Sequence, residues 1–106
     1  QAGNVPFIVA NLGAVDGNFA QAVVDALKSQ FDGVVVLGAA SSGNVALVAS
    51  VPDALTDKAQ AGRIIQTIAP IVGGKGGGKP TQARGGGKDT DKLDEALAEV
   101  PKILTV

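Results

Sequence analysis

The residues best suited to chemistry in this sequence are four cations set among glycines. Lys75, Lys79, Arg84 and Lys88 lie in a segment, residues 73–88, with eight glycines and no acidic residue. Glycine adopts positive φ angles and lets a ligand approach the backbone, where successive N–H groups can bind an anion. Arginine can hold a phosphate through two hydrogen bonds or stack on a base, whereas lysine supplies a point charge. The segment therefore predicts a contact site for RNA phosphates.

The same composition is also typical of a flexible, solvated linker. Two features favour a binding site: the segment lacks serine and acidic residues, and it separates two helical patterns, where a long structureless loop is uncommon. It is not a P-loop, because Pro80 follows Lys79 where that motif has Ser or Thr. The predicted RNA-binding residues are the four cations and five of the glycines: Lys75, Gly76, Gly77, Gly78, Lys79, Arg84, Gly86, Gly87 and Lys88.

The side chains that most catalytic and metal sites need are absent. The 106 residues include no His and no Cys, which removes the commonest general base, the commonest metal ligands and any disulfide. Asp89, Asp91 and Asp94 open a predicted helix, where carboxylates interact favourably with the helix dipole. We therefore expect no catalytic residue, no metal site and no cofactor in this chain.

The charge and hydropathy of the chain limit the kinds of partner that it can bind. The net charge is −1, so the chain is not basic as a whole and only the distribution of its cations indicates a nucleic acid. The longest apolar run is far shorter than the roughly 20 residues that span a bilayer, and no signal-peptide pattern is present. We expect no membrane contact, a cytoplasmic location and, because the chain begins at Gln1, a fragment of a longer protein.

The first half of the chain is patterned as a strand, a helix and a hairpin. Residues 5–10 form a β-rich apolar run, and apolar residues then recur at helical spacing behind Asn18, a capping residue. Residues 34–38 and 45–51 are apolar runs around a small polar turn, which predicts an antiparallel hairpin. The core must be mainly aliphatic, since there is no Trp, Tyr or Met, and we expect the three Phe in it: Phe7, Phe19 and Phe31.

The second half predicts two more helices around the glycine-rich segment. Positions 61, 64, 65, 68 and 72 are apolar at helical spacing, with Asp57 as the cap and a kink or an end at Pro70. The outer face of this helix carries Arg63, which would extend the basic surface. Residues 73–88 are expected to form a loop.

Asp89 is then predicted to cap a third helix that ends at Pro101, and residues 103–106 suit a short last strand. The order β-α-β-β-α-loop-α predicts a single α/β domain over residues 1–106, with a small mixed sheet packed by about three helices.

Two segments carry a resemblance to a known family. The sequence GGKGGGKPTQARGGGKDTDKLDEAL at residues 73–97 resembles the signature of the C-terminal domain of bacterial alanyl-tRNA synthetases. Upstream, VVVLGAASSGNVALVASV at residues 34–51 resembles the hairpin of the same domain, which is of the DHH-associated type. The resemblance covers nearly the whole chain.

The resemblance implies a non-catalytic module that contacts the outer corner of tRNA-Ala and helps to couple aminoacylation with editing. ATP, magnesium and zinc would belong to the other domains of the parent synthetase, which are expected partners. The helical segment that often precedes this domain and supports dimerisation is missing, so a monomer is expected, with a dimer as an alternative.

Two other functions stay open. DHH-family phosphoesterases and nanoRNases grip short oligonucleotides with a related domain that has a GGGH motif followed by Ala-Ala-Gly. Here Lys79 replaces the histidine, and Ala83, Arg84 and Gly85 replace the second motif, which favours the synthetase branch. The third alternative is a dimerisation module whose glycine-rich segment is only a tether.

Overall fold

Runs of β-branched residues and amphipathic segments build a mixed sheet with helices on both sides. The computed structural model describes residues 7–15, 17–31, 33–41, 43–53, 56 and 60–104. The strands there are β1 (Phe7–Asn11), β2 (Val34–Ser41), β3 (Asn44–Ser50), β4 (Lys75–Gly78) and β5 (Gln82–Gly87). The helices are α1 (Gly17–Lys28), α2 (Ala61–Ile68) and α3 (Leu93–Leu104), with 3₁₀ turns at Ala69–Val72 and Thr90–Lys92.

The strands lie in the order β1-β2-β3-β5-β4. The β1–β2 pair is parallel, which requires a crossover connection, and α1 supplies it. All other neighbours are antiparallel. At the β2–β3 turn, Ser41 pairs with Asn44, and Gly43 has a positive φ of 78° that suits glycine. The predicted mixed α/β class, the parallel unit and the hairpin are confirmed.

The two faces of the sheet bury different aliphatic sets, because successive side chains of a strand point to opposite sides. On one face, α2 and α3 pack against a large cluster that includes Val36, Leu47 and Ala83. On the other face, α1 alone packs against Val35 and Val48 of β2 and β3, together with Leu37. Among the described residues, no helix lies over β5 and β4 on this α1 side.

The glycine-rich segment is a β-hairpin and not the predicted loop. Lys75 pairs with Gly86, and Gly78 pairs with Ala83. The prediction was wrong because glycine has no side chain and therefore leaves no alternation of apolar and polar residues to mark a strand. Here β5 is held by β3 on one side and by β4 on the other, so tertiary pairing overrides the weak strand propensity of glycine.

The third helix runs further than predicted. α3 continues through Pro101 to Leu104, so the predicted helix end and the start of a last strand are wrong, while residues 105–106 lie outside the described residues. The nitrogen of Pro101 lacks a hydrogen, and a helix can continue past proline when it gives up that backbone bond. Buried Leu93, Ala96 and Val100 hold the preceding turns on the core.

Helix boundaries elsewhere largely follow the sequence signals. α2 ends at Ile68 and a 3₁₀ turn that contains Pro70 follows it, as predicted. α1 begins at Gly17, one residue before the predicted cap Asn18. Asp89 occupies the N-cap position of the turn before α3, but its side chain makes no capping hydrogen bond. The predicted cap Asp57 lies outside the described residues.

Candidate nucleic-acid interface

Packing on α2 explains why the hairpin needs glycine on its inner side. A Cβ atom on Gly85 would lie 2.6 Å from Cγ2 of Ile65, and one on Gly76 would lie 2.5 Å from the same atom. A Cβ on Gly62 of α2 would lie 2.7 Å from the carbonyl oxygen of Gly78. The helix therefore rests directly on the hairpin backbone, which only glycine permits. Gly76 and Gly85 are therefore needed for the packing of α2 on the hairpin.

Backbone hydrogen bonds fix both ends of the hairpin. The carbonyl of Val72 accepts from the N–H groups of Lys88 and Asp89, both at 2.9 Å. At the turn, the N–H of Lys79 donates to the carbonyl of Gln82 at 2.8 Å. Because the N–H groups of Lys79 and Lys88 are used internally, these two residues can offer only their ammonium groups to a ligand.

The outer side of the hairpin carries Lys75 and Arg84, and both are exposed. Arg84 pairs with Val48, whose side chain belongs to the cluster under α1, so both lie on the α1 side of the sheet. Lys75 pairs with Gly86 of β5, two residues beyond Arg84, and is therefore its diagonal neighbour on the same face. Diagonal neighbours lie roughly 7–8 Å apart.

We call the α1-side surface of β4 and β5 the open basic face; its outward positions are Lys75, Gln82, Arg84 and Gly86. It has no apolar side chain, and α1 covers only the neighbouring strands. Without a Cβ atom at Gly86, which pairs with Lys75, the surface beside the two cations is flat. Such a surface suits close contact with a sugar–phosphate backbone.

The first turn of α1 borders this face at Arg84. A Cβ on Gly17 would lie 2.8 Å from Nη2 of Arg84 and 3.5 Å from Cβ of Ala46. The guanidinium therefore rests against the helix at Gly17, where no side chain intervenes. Sequence reasoning did not assign Gly17 to the site, because 67 positions separate it from Arg84 and only the sheet register brings the two together.

The other two predicted cations lie at opposite ends of the hairpin. Lys79 is in the β4–β5 turn, and Lys88 follows the last residue of β5; both are exposed. A strand rises about 3.3 Å per residue, so the six residues of β5 separate the two ends by roughly 20 Å. The structure thus brings Lys75 and Arg84 together and sets Lys79 and Lys88 along a line beyond them.

Two further predicted positions do not lie on the open basic face. Arg63 is exposed on α2, which packs on the other side of the sheet, so it does not extend this surface. Phe19 is 55% exposed instead of being in the core. A helix turns about 100° per residue, which places Phe19 on the flank of α1 away from Gly17 and Arg84. The prediction of a core role for Phe19 is wrong because the helix buries Ala20 and Val24 instead.

One acidic residue of α3 has a structural role. The side chain of Asp94 accepts a hydrogen bond of 2.9 Å from Nδ2 of Asn11, whose Oδ1 accepts one of 2.8 Å from the N–H of Gly13. These bonds tie α3 to the end of β1. In the part of the chain that the structure describes, no group of three His, Cys, Asp or Glu residues could hold a metal ion. No helix there is long and apolar enough to cross a membrane.

Known proteins share this fold and sequence. The sequence profile of the DHHA1 domain family matches residues 4–105. The chain is 42% identical over 97 residues to an alanine–tRNA ligase of Solibacter usitatus, covering 91% of this chain and 11% of that protein. It is 45% identical over 101 residues to an alanine–tRNA ligase of Desulfitobacterium hafniense, covering 94% of this chain and 12% of that protein. The chain thus spans only about a tenth of the length of these relatives.

A solved structure agrees with these matches over the whole chain. The C-Ala domain of alanyl-tRNA synthetase from Aquifex aeolicus superposes with a TM-score of 0.90 at 25% identity, covering 100% of this chain and 96% of that domain. Sequence and structure therefore point to the same group of proteins. The chain belongs to the DHHA1 domain family and shares the fold of the C-Ala domain.

Proposed function

We propose that this chain is the non-catalytic C-terminal module of an alanine–tRNA ligase and that it binds tRNA-Ala through the open basic face. The observation that carries the proposal is the pairing register that places Lys75 and Arg84 side by side on a sheet surface without a covering helix among the described residues. The similarity to alanine–tRNA ligases supports tRNA as the nucleic acid.

The chemistry of the face suits a phosphate backbone. Arg84 can hold a phosphate through two parallel N–H donors, and Lys75 adds a second charge one phosphate spacing away. Lys79 and Lys88 extend the line of charge at the two ends of the hairpin. In the parent enzyme, this contact would help to present one tRNA to the aminoacylation and editing centres, which would hold the ATP, magnesium and zinc and whose domains would be its partners.

The proposal predicts that Arg84→Ala and Lys75→Ala each lower the affinity for tRNA-Ala about five- to tenfold at low salt, because each removes a charge-assisted phosphate contact. The measurement is a binding titration of the chain with labelled tRNA-Ala. Arg63→Ala is the matched control, since it removes the same charge from the opposite side of the sheet and should leave the affinity within about twofold.

Equal losses in all three variants would contradict the proposal, because they would report overall charge and not this face. A competition between tRNA-Ala and di- to tetranucleotides tests the phosphoesterase alternative, which predicts preference for the short oligonucleotides. Sedimentation with and without tRNA tests the dimerisation alternative, which predicts concentration-dependent self-association and no RNA binding.

A further inference from the structure

A cavity of about 460 Å³ opens beside the open basic face, between the last turns of α1 and the start of β5. Asp25 and Ser29 of α1 form one wall, and Pro52 and Asp53 after β3 form another. Ser50 and Gln82 form part of the floor. The volume is in the range of sites that bind small organic groups.

The cavity floor continues the surface that carries Arg84. Gln82 lies two residues before Arg84 on β5, and therefore on the same side of the sheet about 7 Å away. Ser50 pairs with Gln82, as Val48 pairs with Arg84, so both floor residues belong to the same two strands as the cation. One nucleotide can thus place its phosphate at Arg84 and reach the cavity with its base.

Hydrogen bonds hold the walls in place. Nε2 of Gln21 donates to Oδ1 of Asp25 at 3.0 Å. On the other wall, the hydroxyl of Thr56 donates to the main-chain carbonyl of Asp53 at 2.9 Å. The N–H of Val51 donates to the carbonyl of Thr81 at 2.9 Å, which joins the end of β3 to the hairpin turn. The first two bonds order single lining segments, and the third joins two of them.

The lining selects against phosphate and for a neutral hydrogen-bond donor. The wall after β3 carries the carboxylate of Asp53, which would repel an anion. A carboxylate accepts hydrogen bonds from the exocyclic amino groups of nucleobases. Adenine, cytosine and guanine have such a group, whereas uracil presents one ring N–H between two carbonyl oxygens, which the carboxylate of Asp53 would repel. Pro52 offers an apolar surface for the ring.

We propose that this cavity receives an unstacked nucleobase bearing an exocyclic amino group, from a nucleotide whose phosphate lies at Arg84. The inference rests on the proposed function, since it takes the open basic face as the phosphate site. Recognition of unstacked bases is the usual route by which proteins gain selectivity for RNA, so the cavity would add base preference to a contact that is otherwise insensitive to sequence.

The test is a titration of the chain with AMP, CMP, GMP, UMP and ribose 5-phosphate, followed through backbone amide signals by NMR. We expect the amide signals of Asp53 and Gln82 to shift on addition of AMP, CMP or GMP and to stay unchanged on addition of ribose 5-phosphate. The affinity for these three nucleotides should exceed that for UMP by about three- to tenfold. Asp53→Ala should abolish this preference. Asp91→Ala, at an exposed position on the 3₁₀ turn before α3, is the matched control and should change all four affinities alike.

The outcomes separate this inference from the proposed function. If tRNA-Ala and ribose 5-phosphate perturb Lys75 and Arg84 but UMP binds as well as AMP, the cavity proposal is overturned and the phosphate site stands. If the preference survives Asp53→Ala, the cavity is likewise overturned. If neither tRNA nor any nucleotide perturbs Lys75 or Arg84, both proposals fall together.

Discussion

A single missing Cβ atom determines where the guanidinium of Arg84 can lie. With Nη2 only 2.8 Å from the position of a Cβ on Gly17, alanine at position 17 would displace the guanidinium from its place against α1. We therefore expect Gly17→Ala to lower the affinity for tRNA-Ala about threefold, since the phosphate contact would lose its fixed geometry and part of its strength. The measurement is the same tRNA titration.

A double-mutant cycle with Arg84→Ala provides the control for Gly17. If Gly17 acts only by positioning the guanidinium, Gly17→Ala should have no effect in the Arg84→Ala background. A merely structural role would lower binding equally in both backgrounds and would show as a lower free energy of unfolding. An equal loss of binding in both backgrounds, or a lower free energy of unfolding for Gly17→Ala, would remove Gly17 from the site.

The sequence identified which residues could bind RNA but not how these residues are arranged in space. The four cations of the segment were identified from composition, because charged residues among glycines are conspicuous. Their arrangement was not, because it depends on the register that sets Arg84 opposite Val48 and Lys75 opposite Gly86. The exposure of Phe19 was missed for a related reason: helical spacing identifies an apolar stripe but not which residue at its margin the sheet covers.

Between elements, the close approach of α2 to the hairpin carries the next prediction. Alanine at Gly85 would place its Cβ 2.6 Å from Cγ2 of Ile65, an atom attached next to the helix backbone that cannot simply rotate away. We expect Gly85→Ala to lower the free energy of unfolding by about 1–3 kcal/mol, the usual cost of overpacking a core. Urea unfolding followed by far-UV circular dichroism measures it, since the chain lacks Trp and Tyr.

Ile65→Ala in the same background checks the physical cause. This substitution removes the atom that Gly85→Ala would strike, so the double variant should be less destabilised than the sum of the two single variants. Additive losses would mean that the glycine is needed for a reason other than contact with Ile65.

The elements with a periodic pattern were predicted, and those without one were not. α1, α2, β2 and β3 follow from apolar spacing, and the turn at Gly73, with a φ of 71°, ends the 3₁₀ turn as its glycine indicates. The β4–β5 hairpin has no apolar periodicity, because its strands are specified by neighbouring elements. β3 pairs with β5, and α2 packs on both β4 and β5. The extension of α3 past Pro101 was equally hidden, since it depends on tertiary packing that a local rule ignores.

For the molecule as a whole, net charge and local charge predict opposite behaviour toward RNA. A net charge of −1 gives no general attraction to a polyanion, so binding should depend on the cations of the hairpin alone. If all four contact phosphates, the logarithm of the association constant should fall against the logarithm of salt concentration with a slope of about −3. The measurement is the tRNA titration at 50 to 200 mM salt.

Arg84→Ala should make that slope shallower by about one unit, and Arg63→Ala should leave it unchanged. A circular dichroism spectrum that stays constant over the same salt range would show that the fold, held by an aliphatic core, is not what responds. A slope near zero for the unsubstituted chain would contradict phosphate contact by any of the four cations.

The one-sided packing of the hairpin also determines which substitutions this stretch can tolerate. Cβ atoms on Gly76 and Gly85 would strike Ile65 of α2, whereas Lys75, Gln82 and Arg84 project away from that helix. A Cβ on Gly77 would approach Gln66 of α2, and one on Gly78 would strike the backbone of β5. A library that randomises residues 75–87 should therefore recover folded clones that keep glycine at positions 76–78 and 85–87 and vary at Lys75, Gln82 and Arg84. Within one glycine-rich stretch, some positions would thus be fixed by the fold, while the charged and polar positions would be free to diverge with the ligand.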